Sequence, residues 1–266
     1  MRKLTSAVAS AVMAFAGMAG MMSTPAQAAT GLEYVALGDS YASGVGAGYY
    51  DSASGDCKRS PADYPALWAA AHSDYTLKDV SCSGAKIADV RDKQLSALSA
   101  DTDLVTLTVG GNDAQFSSVV QGCLTQSDSY CDTATLWMSY YAKGQLVTSL
   151  AGLYKDIKAK APNARVIVLG YPQTVSPTGT CPVIDLSSAK RTAMNGLADA
   201  LAEGTKAAAA KEPVEFIDMR DTFKGHGACG SDPWINDLNA GTAVFHPTLM
   251  GYLAGYDTRL SEVTGD

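Results

Sequence analysis

The residues best suited to chemistry are two short pieces at opposite ends of the chain. Gly38-Asp39-Ser40-Tyr41 closes the first convincing strand-like run, Tyr34-Val35-Ala36-Leu37, and Phe245-His246-Pro247 lies about twenty residues from the C-terminus. A serine at the C-terminal tip of a buried strand sits where open α/β sheets expose reactive side chains. Free serine is a poor nucleophile near neutral pH, and an imidazole within hydrogen-bond reach removes its proton as attack occurs. The pair therefore predicts nucleophilic acyl transfer. Gly-Asp-Ser is also an ordinary turn tripeptide, so neither piece decides the matter alone.

Positioning such a pair requires a sheet whose strand ends converge. Strands are predicted at 34–37, 77–80, 104–109, 165–169 and 214–217, alternating with helical stretches at 61–68, 133–160 and 187–211. This alternation predicts an α/β fold, a three-layer α/β/α sandwich around a mainly parallel central sheet. The run at 165–169 is apolar after its first residue, as a strand buried on both faces must be. Irregular segments at 42–59, 171–182 and 219–244 read as loops lining a site.

Two further pieces end strand-like runs: Cys82-Ser83-Gly84-Ala85 and Val109-Gly110-Gly111-Asn112-Asp113. With all four in order, from about Glu33 to Tyr252, the chain resembles the SGNH, or GDSL, hydrolase family. The segment Tyr41-Ala42-Ser43-Gly44 and the helix at 61–68 make it most similar to the family's secreted bacterial lipases and phospholipases A1. The resemblance implies that Ser40 attacks an ester carbonyl while His246 takes its proton and passes it to the leaving alcohol. It also implies an oxyanion hole made by the main-chain N–H groups of Ser40 and Gly84 and the Asn112 amide.

One family feature is missing. Many members carry an aspartate three residues before the histidine, and here that position is Ala243. Some secreted relatives use a main-chain carbonyl instead, which implies a Ser40–His246 dyad oriented by the carbonyl of Ala243 or Val244. A loop folding back to bring Asp232 or Asp237 to the imidazole is the alternative. Asp39 and Asp113 are expected to brace their turns.

Length and composition agree with such an enzyme. A chain of 266 residues, 47% of them hydrophobic, can bury a substantial core in one domain. Arg2-Lys3, an apolar run at 7–22 and Ala26-Gln27-Ala28 have the pattern of a signal peptide cleaved after Ala28, which leaves 29–266 as the catalytic domain, exported and without a stable membrane anchor. The net charge is −7, and −9 once Arg2 and Lys3 depart (18 basic against 27 acidic side chains), which argues against nucleic acid as a partner.

Six cysteines in an exported chain are expected in disulfides, with fifteen pairings open to the sequence. The resemblance implies Cys57 with Cys82, Cys123 with Cys131, and Cys181 with Cys229. No Cys-x-x-Cys or alternating acidic loop is present, so no metal or other cofactor is expected. The predicted partner is a lipid or other acyl-ester substrate, acted on by a monomer, with Tyr49, Tyr50, Phe116 and Val119 as candidates for the floor of an acyl groove. An ester of acetylated or aromatically acylated polysaccharide is the alternative substrate, and a binding protein that keeps the fold without catalysis is a weaker one.

Overall fold

A computed structural model describes residues 31–265 of the chain; the predicted signal peptide lies outside the described residues. Five strands, β1 (Leu32–Gly38), β2 (Tyr75–Asp79), β3 (Thr102–Thr108), β4 (Arg165–Leu169) and β5 (Glu215–Ile217), form one sheet in the order β2-β1-β3-β4-β5. Every neighbouring pair is parallel. Val35, Ala36, Leu37, Val105, Leu107 and Ile167 are completely buried, which is why the central strands read as apolar runs. β2, on the edge, alternates between half-buried and exposed.

Helices cover both faces. They are α1 (Tyr64–Ala71), α2 (Ile87–Asp89), α3 (Phe116–Thr125), α4 (Asp128–Lys143), α5 (Gln145–Lys160), α6 (Ser188–Ala209), α7 (Met219–Thr222) and α8 (Thr258–Thr264). One layer is α3, α4, α5 and α6, packed on one another, and the other is α1 with the π-helical turn Gly251–Asp257 and α8. Aromatic rings knit this second layer: Trp68 meets Tyr34 of β1 edge-on, and Tyr64 stacks on Tyr256. The architecture is the three-layer α/β/α sandwich that the alternating pattern predicts.

Two helix predictions need correction. The stretch 133–160 is two helices, because Gly144 takes a non-helical backbone (φ −116°, ψ −93°) between α4 and α5. Glycine gives up the most backbone freedom in a helix and is the natural break point. The first helix begins at Tyr64 rather than 61, since Asp63 is its N-cap and accepts a 2.7 Å hydrogen bond from the Ala66 N–H. Three disulfides join Cys57 to Cys82, Cys123 to Cys131, and Cys181 to Cys229.

Candidate active site

The sheet order places β1 between β2 and β3, so successive connections leave β1 in opposite directions and open a crevice at its C-terminal end. Gly38 ends the strand at φ +132°, and a side chain there would lie 2.3 Å from the Thr108 carbonyl of β3, so only glycine fits. The buried Gln94 amide clamps the Gly38 peptide from the other side, accepting from its N–H at 2.8 Å and donating to its carbonyl at 2.9 Å. Ser40 emerges from this fixed turn.

His246 reaches it from 206 residues away. Its Nε2 lies 2.8 Å from Ser40 Oγ, and its Nδ1 lies 3.1 Å from the Val244 carbonyl. The Ala243 carbonyl is engaged elsewhere, accepting from the His246 main-chain N–H. With Nδ1 donating to Val244, the tautomer leaves Nε2 free to accept from the serine hydroxyl. Burial, reinforced by the Lys58 charge, pushes the imidazole down to about 4, against the opposing pull of the Val244 and Ala243 carbonyls. The ring is thus neutral near pH 7 and ready to accept a proton.

Neither carboxylate considered in its place is there. Asp232 is exposed and pairs with His226 at 3.2 Å, while Asp237 accepts from the Asn239 N–H. His226 also stacks on Trp234 with 3.7 Å between ring centroids. The segment before His246 folds onto itself and carries both carboxylates into other contacts.

Two residues whose roles sequence reasoning missed, Asn236 and Tyr41, hold the main chain that carries the imidazole. Asn236 accepts from the Phe245 N–H and donates from its main-chain N–H to the His246 carbonyl. Its side-chain amide reaches the carbonyls of Gly46, His246 and Pro247. Tyr41 donates to the Phe245 carbonyl, and Phe245 takes a left-handed backbone (φ +60°), uncommon for a bulky residue and over-determined here by these bonds. The signals for these roles were Asn236, ten residues ahead of the histidine, and Tyr41, beside the serine; nothing local to either shows its distant partner.

Asn112 lines the same cavity as Ser40 and His246. Its Nδ2 donates to the Ala85 carbonyl at 3.0 Å, leaving the second amide hydrogen available. Gly84 occupies the turn between Cys82, whose N–H donates to the Gly38 carbonyl, and Ala85. Neither the Ser40 nor the Gly84 main-chain N–H has an acceptor among the described residues.

Asp39 and Asp113 brace turns. Asp39 accepts from the Tyr41 N–H at 3.0 Å and from the Tyr171 hydroxyl at 2.5 Å, and that hydroxyl accepts from the Gly111 N–H. Burial pushes the Asp39 carboxyl up to about 7 despite these hydrogen bonds. Asp113 accepts from the Ile87 N–H, tying its turn to α2.

The cavity has a volume of about 460 Å³. Phe116, Val120 and Leu124 of α3 line it together with Pro172 and with Ala198 and Leu201 of α6. Of the side chains expected in an acyl groove, only Phe116 is in it. Val119 is one helical step away from Val120 and faces the core, while Tyr49 and Tyr50 line a separate depression with Arg59, Asp63 and Asp79. Among the described residues, no group of three or more His, Cys, Asp or Glu side chains is placed to hold a metal ion. No helix among them is long and apolar enough to cross a membrane.

Residues 36–254 match the model of the GDSL-like lipase/acylhydrolase family. The chain belongs to that family. It is 45% identical over 256 residues to Lipase 1 of Streptomyces coelicolor, spanning 95% of this chain and 94% of that one. Among solved structures it superimposes on an extracellular lipase from Streptomyces rimosus with a TM-score of 0.83 at 42% identity, covering 87% of this chain and 99% of that one. A phospholipase A1 from Streptomyces albidoflavus gives 0.81 at 42% identity, with the same coverage. As a member of this GDSL-like family, the chain is an ester hydrolase.

Proposed function

We propose that this is an exported serine hydrolase that cleaves acyl esters of lipids, using Ser40 as nucleophile, His246 as base and the Val244 carbonyl in the place of the usual acid. The observation carrying the reading is the 2.8 Å approach of His246 Nε2 to Ser40 Oγ at the wall of an apolar cavity. His246 takes the Ser40 proton as Oγ adds to the ester carbonyl, and the resulting imidazolium then protonates the departing alcohol. Water repeats the sequence on the acyl-enzyme. The oxyanion is received by the Ser40 and Gly84 N–H groups and the Asn112 amide. Val244 keeps the proton on Nδ1 throughout, though a neutral carbonyl stabilises imidazolium less than a carboxylate does.

The apolar walls built by α3 and Leu201 favour a fatty acyl chain over the acyl group of a polysaccharide. Three disulfides among the described residues and the extracellular lipase among the similar structures support export. The deciding experiment combines fluorophosphonate labelling, mapped by mass spectrometry, with a panel of esters varying in acyl length and headgroup. A single label on Ser40, and loss of hydrolysis in Ser40→Ala and His246→Ala with unchanged melting, is the expected result. Label on another residue, or turnover retained in Ser40→Ala, would refute the assignment.

A further inference from the structure

The outward face of α4 is built the wrong way round for a helix in water. Its inner face already packs on the core through Cys131, Thr135 and Ala142, with Ala134, Met138 and Tyr141 alongside. On the opposite face Leu136, Trp137 and Tyr140 are 70%, 68% and 81% exposed, and Tyr130 at its edge is 47% exposed. Positions 129, 133, 136, 137 and 140 share one side of a helix with 3.6 residues per turn, and none of them is charged. A surface helix ordinarily turns charged and polar side chains outward, so a contiguous aromatic and aliphatic stripe there marks an interaction site.

Its surroundings say what covers it. α4 packs against α3, the Cys123–Cys131 disulfide joins the two, and the Tyr130 ring lies against Gly122. α3 is the helix whose Phe116, Val120 and Leu124 wall the cavity. The stripe and the acyl wall are thus carried by one stapled helical pair. From Ala114 to Ala142 the only charged residues are Asp128 and Asp132, while the whole chain carries a net charge of −7. An anionic surface would repel this protein, and an uncharged one would not. Trp and Tyr, with apolar bodies and polar tips, are the side chains that favour a lipid–water boundary.

We propose that the Leu136–Trp137–Tyr140 face of α4 is an adsorption surface that seats the enzyme on lipid of no net charge, beside the cavity that takes the acyl chain. The proposal rests on the reading of the protein as a lipid ester hydrolase. It adds a binding surface outside the reacting groups.

The test uses the Ser40→Ala protein, so that lipid survives, floated with phosphatidylcholine vesicles and with vesicles one-third phosphatidylglycerol. Binding is expected to phosphatidylcholine and to weaken with the anionic lipid. Combining Leu136→Ser, Trp137→Ser and Tyr140→Ser should lower the bound fraction by about fivefold or more, since apolar contact area drives such adsorption. Brominated phosphatidylcholine should quench tryptophan emission, and Trp137→Phe should remove most of that quenching, because Trp68 is only 2% exposed and Trp234, the third tryptophan, is partly buried against Phe223 and His226. Equal flotation of the triple variant, or quenching undiminished by Trp137→Phe, overturns the proposal. So does a dimer in sedimentation velocity that the triple variant dissolves while vesicles go unbound, which would make the face a contact between copies.

In the active background, the triple variant should hydrolyse a soluble short-chain aryl ester within about twofold of the parent, and an emulsified long-chain ester roughly tenfold more slowly. Equal losses on both substrates count against the surface. Absence of soluble-ester hydrolysis in the parent itself would instead remove the hydrolase reading, and flotation would still judge the surface.

Discussion

The Tyr41 hydroxyl donates a 2.5 Å hydrogen bond to the Phe245 carbonyl, so the residue following the candidate nucleophile holds the residue preceding the candidate base. The tyrosine is buried and its ring lies 5.3 Å from the His246 ring. Geometry between Ser40 and His246 therefore does not depend on two loops meeting by chance. A tether runs directly beneath them.

Tyr41→Phe should keep the ring packing and remove only this tether. The expected result is a fall in kcat of about 10–100-fold with KM little changed, since small misplacements of reacting groups cost this much. The accompanying stability loss should be about 1 kcal/mol, the usual net value of one hydrogen bond. Steady-state kinetics and thermal melts check both, and an unchanged kcat would mean that Asn236 alone suffices to hold the histidine.

Asn112→Ala should lower kcat by roughly 10²–10³ with a small effect on KM, because an oxyanion donor acts mainly in the transition state. An effect seen in KM alone would assign Asn112 to substrate binding.

With burial pushing His246 down to about 4, the neutral imidazole needed as base persists well into acid. The acid limb of kcat/KM should therefore fall with a midpoint near pH 4 rather than near 6.5. Asp232→Asn and Asp237→Asn should each stay within about threefold of the parent, whereas neutralising a true triad aspartate costs about 10⁴ in kcat. A collapse on that scale in either variant, with the fold intact, would replace the dyad by a triad.

Asp63, buried against Gly44 of the loop that follows Ser40, lies beside half-buried Asp79, and burial, then the Asp79 charge, push the Asp63 carboxyl up to about 9 from its ordinary 3.8. Between these values the folded protein keeps a proton that the unfolded chain releases, so stability falls as pH rises through the window. Asp63→Asn keeps the side-chain oxygen that caps α1 but cannot ionise. It should flatten the stability profile between pH 5 and 9 and stabilise the protein at pH 9 by on the order of 1–3 kcal/mol. Denaturant melts across pH check this; a slope equal to the parent's would show that the pair does not share a proton.

Central features of the fold were legible because burial on both faces leaves a direct mark: the strands around Val35, Val105 and Ile167 are apolar runs ending in glycine turns. Ser40 and Asn112 could be read from those turns, and His246 from the late Phe245-His246-Pro247 piece. The braces could not. Gln94, Tyr171 and Asn236 act through main-chain atoms far away in sequence, and no spacing rule connects Gln94 to Gly38 or Asn236 to Gly46. The wall of the cavity was half legible, since Phe116 and Val119 lie on adjacent turns of one helix but only the tertiary packing decides that Val120, not Val119, lines the cavity. The same limit hid Trp137, whose aromatic side chain reads as core until the neighbouring helices are placed.

All five strands lie before residue 218, while the imidazole arrives only at 246. The sheet and the candidate base are therefore supplied by different parts of the chain. A ribosome that has made the whole sheet has made a serine with no base, and a cut before residue 243 would take away the imidazole together with the Gly251–Asp257 turn and α8 that pack over one face of the sheet. The reactive centre is in this sense a seal on a finished polypeptide, formed only when its first strand and its last loop are both present and tied.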